Sequence, residues 1–229
     1  MTRPKTPLLI AAGALVVFIP LLWGVAVDAA WIHAIDAPII AWVTAVRPEP
    51  LTEVLLWITN CGNPPVIVGL GAGLAAILFY YRKKRYAVFA AVAIIGMSGL
   101  NSCVKLLIRR LRPFVADPTI TPLTRIGGYS FPSGHASGTM LLWGTVILLT
   151  AALVTRKSLR RVLIGFSIAM IGLTGYSRIY VQVHFPTDVL AGYAEALFGL
   201  MLVWWLMYPW LTRVTPTGWV LRDKPHTLR

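Results

Sequence analysis

Long runs without charged residues are the feature that most limits how this chain can fold. Residues 8–27 contain no charged side chain, and five further runs hold only one, Glu195, between them. About 20 apolar residues cross the ~30 Å hydrocarbon core of a bilayer as an α-helix. The six candidate spans are residues 8–27, 64–81, 86–104, 136–155, 162–177 and 189–212. We therefore expect an all-α integral membrane bundle of six transmembrane helices, forming one domain over residues 1–229.

Composition supports the membrane class and argues against a nucleic-acid partner. Hydrophobic residues make up 57% of the chain and charged residues 13%, against about 25% charged in a soluble domain. The net charge is +13, but the cations lie mostly in short clusters between apolar runs, as the positive-inside rule predicts. The first run has 20 residues, longer than the 7–15-residue core of a signal peptide, so we interpret it as an uncleaved helix.

The positions of the cations predict how the bundle is oriented. In a six-helix bundle, four basic groups fall on one side, within residues 3–5, 82–85, 156–161 and 213–229. That side is predicted to be cytoplasmic and to carry both termini, in the plasma or inner membrane. The segments that then face outward are residues 28–63, 105–135 and 178–188. The first of these contains Trp31 and Trp42 and is expected to form short interfacial helices.

Cations also occur on the predicted outward side, where the topological rule does not explain them. They are Lys105, Arg109, Arg110, Arg112, Arg125 and Arg178. An anionic ligand is the simplest reason for this placement. Lys105 and Arg112 are seven residues apart, so on a continuous helix they share a face and could bind a phosphate. The alternative is a basic collar at the helix end, which Arg109 and Arg110 could form in either case.

The stretch FPSGHASG, residues 131–138, directly precedes the fourth apolar run. Ser133 is a candidate N-cap, and Gly134 permits close approach of the backbone. The unpaired amides of the first helical turn form an anion site, and His135 stands at that same helix end. Taken alone, His135 would be interpreted as an interfacial side chain bonded to a backbone carbonyl.

A third polar stretch, SRIYVQVHFPTD, covers residues 177–188 and contains Arg178. His184 and Asp188 are four residues apart, with Pro186 opening the last apolar helix. A carboxylate beside an imidazole fixes its tautomer and activates the other ring nitrogen as a nucleophile. The alternative is a helix-capping aspartate next to an incidental histidine. Two imidazoles, a carboxylate, three cations and a helix N-terminus together favour a phosphoryl-transfer site without metal or cofactor.

The remaining polar residues give weaker signals. Glu195 is expected to face the bundle and pair with a polar group, either as support for the site or as a structural hydrogen bond. Cys61 and Cys103 are interpreted as unpaired packing thiols, with a disulfide left open. His33, in the interfacial segment, and His226, in the tail, have no neighbouring motif.

In their order along the chain, these motifs resemble the three-part signature of the type 2 phosphatidic acid phosphatase superfamily. The matching elements are Lys105 with Arg112 and Pro113, then Pro132 to His135, then Ser177 and Arg178 with His184 and Asp188. The resemblance implies that His184 attacks phosphorus to form a phosphohistidine, that Asp188 orients it, and that His135 protonates the leaving oxygen. It also implies a set of phosphate-binding residues, namely Lys105, Arg112, Ser133, Gly134 and Arg178.

The resulting expectation is a lipid phosphatase that acts at the outer membrane face on a lipid phosphate or diphosphate. Undecaprenyl diphosphate ranks first as substrate because its diphosphate is left on that face, and phosphatidylglycerophosphate and phosphatidic acid follow. One alternative is a phosphotransferase that uses the same site to pass the phosphate to another lipid. The other is a non-enzymatic lipid transporter, which would need the cations but not the pair of His184 and Asp188.

Overall fold

The computed structural model of the chain describes residues 3–212, and this part of the chain is helical, without a strand. The α-helices in chain order are α1 Thr6–Ala26, α2 Ala30–Thr44, α3 Glu49–Cys61, α4 Pro64–Tyr80, α5 Lys84–Ala91, α6 Met97–Ile108, α7 Pro113–Ala116, α8 Gly134–Leu153, α9 Lys157–Tyr180 and α10 Pro186–Leu211. A π-helical segment, Val92–Gly96, joins α5 to α6. The predicted all-α fold is therefore confirmed. The C-terminal cations Arg213, Arg222, Lys224 and Arg229, and His226, lie outside the described residues.

Within residues 3–212, five helical stretches are long and apolar enough to cross a membrane. They are α1, the run from α5 to α7, α8, α9 and α10. A sixth is possible if α3 and α4, which meet at a bend of 59°, count as one broken span. The predicted second span, 64–81, corresponds to α4, which has only 17 residues. It reaches spanning length only together with α3, which the sequence had placed in the interface.

The last two spans begin earlier than the apolar runs suggested. α9 is 24 residues long and starts five residues before the predicted 162 because Lys157 and Arg160 belong to its first turn. α10 begins at Pro186, three residues before the predicted 189, with proline at its first helical position. The first turn of a helix tolerates charged residues and proline. Hydropathy alone therefore predicts the first residue of α9 and of α10 too late in the sequence.

The bundle is built around α10, which packs along both α1 and α8, while α8 also packs along α9. Close approach of α10 to the start of α8 depends on Gly192. A Cβ atom at this position would lie 2.5 Å from the Ser133 carbonyl oxygen, so a larger residue would push the two helices apart. Cys61 and Cys103 are both free thiols, which agrees with their interpretation as unpaired.

The two ends of the bundle differ in the helix ends and side chains that they bring together. At one end, which we call the site end, the start of α8, the end of α9 and the start of α10 meet. At the opposite, basic end, the Arg3 guanidinium lies 4.4 Å from the centre of the Trp205 ring. A cavity of about 320 Å³ at this end is lined mainly by residues 82–86 with Leu211. The α8–α9 turn is at the basic end as well, because α8 runs away from the site end and α9 runs back towards it.

Candidate active site

The starts of α8 and α10 are joined by direct contacts at the site end. Ser133 caps α8, because its hydroxyl oxygen accepts a hydrogen bond from the Ala136 amide at 3.5 Å. The Ser133 amide donates to the Asp188 carbonyl oxygen at 2.9 Å. These contacts place Gly134 and His135, the first two residues of α8, beside the first turn of α10.

His184 lies in the loop between α9 and α10, with only 1% of its surface exposed. Its Nε2 atom is 3.2 Å from Arg112 Nη1. Because a guanidinium only donates hydrogen bonds, Nε2 must be the acceptor and carries a lone pair. The proton is therefore on Nδ1, which is 3.3 Å from Ser130 Oγ and 3.5 Å from Asp188 Oδ2. Burial lowers the pKa of His184 to about 3, although the hydrogen bond with Asp188 acts in the opposite direction. The imidazole is therefore neutral at pH 7.

Asp188 is fully buried, and both of its carboxylate oxygens are hydrogen-bonded. Oδ2 accepts from the Ser130 hydroxyl at 2.5 Å and from the Phe185 amide at 2.9 Å. Oδ1 accepts from Arg110 Nη1 at 2.7 Å. A buried carboxylate needs such partners to stay charged, so Asp188 is held in one orientation with Oδ2 towards His184.

Arg178, near the end of α9, is 2% exposed. Its Nη1 atom donates to the Thr59 hydroxyl at 2.5 Å. Its Nε and Nη2 atoms are buried and have no hydrogen-bond partner among residues 3–212. Buried donors without partners are costly, and an anion such as phosphate would satisfy both of them from one side of the guanidinium.

Arg112 is 4% exposed and contacts both the nucleophile candidate and a loop. Besides His184, it reaches the Val183 carbonyl at 2.9 Å through Nη1 and the carbonyls of Gly127 and Gly128 at 2.9–3.2 Å through Nε and Nη2. It thus lies directly against the Nε2 atom of His184.

Lys105 occupies a different place from the one that the sequence suggested. Its ammonium group donates to the carbonyls of Tyr129, Ser130 and Pro132 at 2.8–3.4 Å. It therefore holds the loop that carries Ser130 to the nucleophile candidate. The expectation that Lys105 and Arg112 share one helix face is wrong, because α6 ends at Ile108 and Arg109 has φ +53°, in the left-handed region.

His135, on the first turn of α8, is 4% exposed. Its Nε2 atom is 2.8 Å from Asn63 Oδ1, while the Asn63 amide nitrogen donates to Asn60 Oδ1 at 3.3 Å. The second contact identifies the Asn63 oxygen as the atom that faces the histidine, so His135 Nε2 carries the hydrogen. His135 is therefore held by the α3–α4 junction, whereas His184 is held by α10 and the loop before α8.

Comparisons with known proteins identify the family of the chain. Residues 86–214 match the PAP2 superfamily model. The chain is 30% identical over 177 residues to phosphatidylglycerophosphatase B of Bacillus subtilis, covering 75% of this chain and 83% of that relative. It is 30% identical over 152 residues to undecaprenyl-diphosphatase BcrC of the same organism, covering 64% and 70%.

The chain belongs to the PAP2 superfamily. Its fold is similar to that of a solved transmembrane PAP2-type phosphatidylglycerolphosphate phosphatase from Bacillus subtilis. The TM-score is 0.72 at 27% identity, covering 89% of this chain and 97% of that structure. The predictions of the family, of a multi-pass membrane protein and of a hydrolase of the lipid-phosphatase kind are thereby confirmed.

Four polar residues around the site were not expected from the sequence, namely Asp36, Thr59, Asn63 and Ser130. Arg110 was expected only among the outward cations or in a basic collar. The assignment of Arg110 to a surface collar is wrong, because it is bonded to the buried carboxylate of Asp188; Arg109, in contrast, is exposed. Ser130 directly precedes the FPSGHASG stretch and could have been suspected from that position. The other three lie before the PAP2 match at 86–214 and have no local motif, so only packing reveals them.

Proposed function

We propose that this PAP2 protein removes phosphate from a membrane lipid without a metal ion, through a phosphohistidine at His184. The observation that carries the proposal is the state of that imidazole. It is neutral, its Nδ1–H points to Ser130 and Asp188, and its Nε2 lone pair lies against Arg112. A buried neutral imidazole oriented by a carboxylate is suited to nucleophilic attack.

In the first step, His184 Nε2 attacks the phosphorus atom and the P–O bond to the lipid breaks. The leaving oxygen takes a proton from the imidazolium form of His135, which becomes a neutral imidazole. Arg112 and Arg178 bind the phosphate oxygens, and the two buried donors of Arg178 without partners are available for this. Because phosphoryl transfer spreads negative charge over these oxygens, fixed cations and the α8 N-terminus at Gly134 stabilise the transition state.

In the second step, water attacks the phosphohistidine and the P–Nε2 bond breaks. His135 accepts the proton from this water, so that the histidine returns to its protonated form for the next turnover. Inorganic phosphate leaves, and His184 is again neutral. Ser133 assists through its hydroxyl at the cap of α8, and Lys105 contributes charge while it holds the loop at residues 129–132.

The site end is proposed to face outward and the basic end to face the cytoplasm with both termini. The basic end carries Arg3 and the exposed cations within residues 82–84 and 156–161, which fits the positive-inside rule. An outward site favours undecaprenyl diphosphate as the first substrate to test, followed by phosphatidylglycerophosphate and phosphatidic acid. The curated relatives include an enzyme named for each of the first two.

The test is phosphate release by purified protein from a panel of these three lipids, with His184→Ala as the control. We expect turnover of the wild type and a loss of at least ~10⁴-fold in the variant, since the variant lacks the proposed nucleophile. Radiolabelled phosphate should be trapped on His184. Transfer of label to an acceptor lipid would instead identify a phosphotransferase. A folded wild type that forms no phosphoenzyme would refute the mechanism and favour a transporter.

A further inference from the structure

Asp36 is a buried acid on α2, far in sequence from the residues proposed to react. Its side chain is 2% exposed and lies against the first turn of α10. Its Oδ1 atom accepts a hydrogen bond from the Thr187 amide at 2.8 Å, and its Oδ2 atom accepts one from the Thr187 hydroxyl at 2.8 Å. Oδ2 also accepts from Arg110 Nη2 at 2.7 Å. This carboxylate therefore links α2 to α10 and to Arg110.

Arg110 uses its two terminal nitrogens for two different carboxylates. Nη2 binds Asp36, while Nη1 donates to Asp188 Oδ1 at 2.7 Å and to the Thr187 hydroxyl at 2.8 Å. The guanidinium also lies over the Phe185 ring, with Cζ 3.9 Å from the ring centre. A planar group held at both ends and on one face cannot turn without losing at least one of these contacts.

The orientation of Asp188 depends on this arrangement. Its Oδ2 atom faces the Ser130 hydroxyl and His184 Nδ1, and its Oδ1 atom is left to Arg110. If Arg110 moved away, the carboxylate would lose its charged partner and could turn. His184 would then lose the acceptor that keeps its proton on Nδ1, and the lone pair would no longer be fixed on Nε2.

We propose that Asp36 and Arg110 are positioning residues for the reaction. Asp36 holds Arg110, Arg110 holds Asp188, and Asp188 orients His184. This inference rests on the proposed function, because it assigns roles around the same nucleophile. Asp36 precedes the PAP2 match at residues 86–214, so α2 completes the active site from outside the region that defines the family.

A role limited to anchoring α10 would give different measurements from a positioning role. An anchor lowers the amount or the thermal stability of folded protein, and its loss adds to the effect of other mutations. A positioning residue lowers kcat in folded protein and leaves KM unchanged, because substrate binding is retained. Its effect also disappears when the group through which it acts is already absent.

The decisive variant is Asp36→Asn in the full-length purified protein. Asparagine has the same shape, but its amide nitrogen would face the Arg110 donor, so the ion pair is lost. We expect the rate of phosphoenzyme formation, measured by rapid quench with a radiolabelled lipid that the wild type hydrolyses, to fall about 10- to 100-fold. The matched control is Asp28→Asn, an exposed acid paired with His33 at 2.7 Å just before α2, which should leave the rate unchanged.

Two further variants complete the test. In an Asp188→Asn background, adding Asp36→Asn should cause no further loss. Arg110→Lys keeps the charge, but a single ammonium cannot bridge two carboxylates, so it should slow phosphoenzyme formation by a similar factor. Arg110→Lys also tests the positioning role if Asp36→Asn does not fold.

The outcomes separate the inference from the function on which it rests. Wild-type rates in folded Asp36→Asn and Arg110→Lys, or full additivity with Asp188→Asn, would overturn the positioning role and leave the phosphohistidine mechanism intact. A wild type that forms no phosphoenzyme would overturn the proposed function. The inference would fall with it, because no nucleophile would remain to be oriented.

Discussion

Both ends of the bundle are rich in arginine and lysine, but the side chains are in different environments. At the basic end, the cations Arg82, Lys83, Lys84, Arg156, Lys157, Arg160 and Arg161 are exposed. At the site end, Arg112 and Arg178 are 4% and 2% exposed, and Arg110 is largely covered by Phe185 and two carboxylates. The same residue types are therefore exposed at one end and buried among polar groups at the other.

The difference follows from the cost of burying charge. Exposed cations in water cost the fold little and are screened. Burial of a guanidinium costs several kcal/mol unless carboxylates, carbonyls or a ligand compensate. Arg110 has its carboxylates and Arg112 its carbonyls, but two donors of Arg178 are left without a partner among the described residues. Arg178 thus differs from Arg110 and Arg112 in having two buried donors without a partner in the described part of the chain.

The largest effect is expected from a variant at the site end that removes a proton donor and leaves all the arginines and lysines in place. His135→Ala should lower turnover of the lipid substrate about 10²- to 10⁴-fold, the usual contribution of a positioned proton donor. With an aryl phosphate, whose leaving group needs no proton, phosphoenzyme formation should fall far less. Both rates are measured by rapid quench. His33→Ala, at an exposed histidine, is the control and should change neither. Equal losses on both substrates would argue against His135 as the proton donor.

The next prediction compares one arginine from each end. Arg178→Gln should lower kcat/KM about 10²- to 10³-fold, because it removes fixed charge from the transition-state oxygens. The matched control is Arg160→Gln, at the other end of the same helix, which should leave kcat/KM unchanged. Thermal melting in detergent shows whether each variant is folded. Comparable losses of kcat/KM in both variants would contradict the view that only the cations of the site end take part in the reaction.

The sequence predicted what depends on local composition. Apolar runs located the five helical stretches that are long enough to span a membrane by themselves, the Ser133 cap followed from its position before a helix, and the order of the motifs identified the family. It grouped the cations Lys105, Arg112 and Arg178 together, and the fold brings all three to the site end. It could not assign their partners, because the break at Arg109 turns Lys105 and Arg112 onto separate segments.

What the sequence could not predict depends on contacts between distant segments. Arg110 and Arg109 are neighbours with the same chemistry, yet one is exposed and the other binds Asp36 and Asp188, which are 74 and 78 residues away. Nothing local distinguishes them. Asn63 and Thr59 likewise reach His135 and Arg178 only because α3 and α4 bend at this end of the bundle.

The smallest effect tests how far the site extends towards the middle of the bundle. Glu195 is 1% exposed on α10, and its Oε2 atom accepts a hydrogen bond from the Asn101 amide at 2.9 Å. Glu195→Gln keeps the shape and an oxygen for that bond. We expect less than a ~10-fold loss of phosphate release, the scale of one hydrogen bond.

The matched control is Asp188→Asn, seven residues earlier on the same helix and equally buried. It should cost about 10⁴-fold, as expected when a carboxylate that fixes a histidine tautomer is removed. Both variants are compared by phosphate release in protein that melts like the wild type. If folded Glu195→Gln lost as much as Asp188→Asn, the reacting groups would have to extend one helical turn or more deeper than His184. Glu195 would then belong with them, and not with the residues that only pack the bundle.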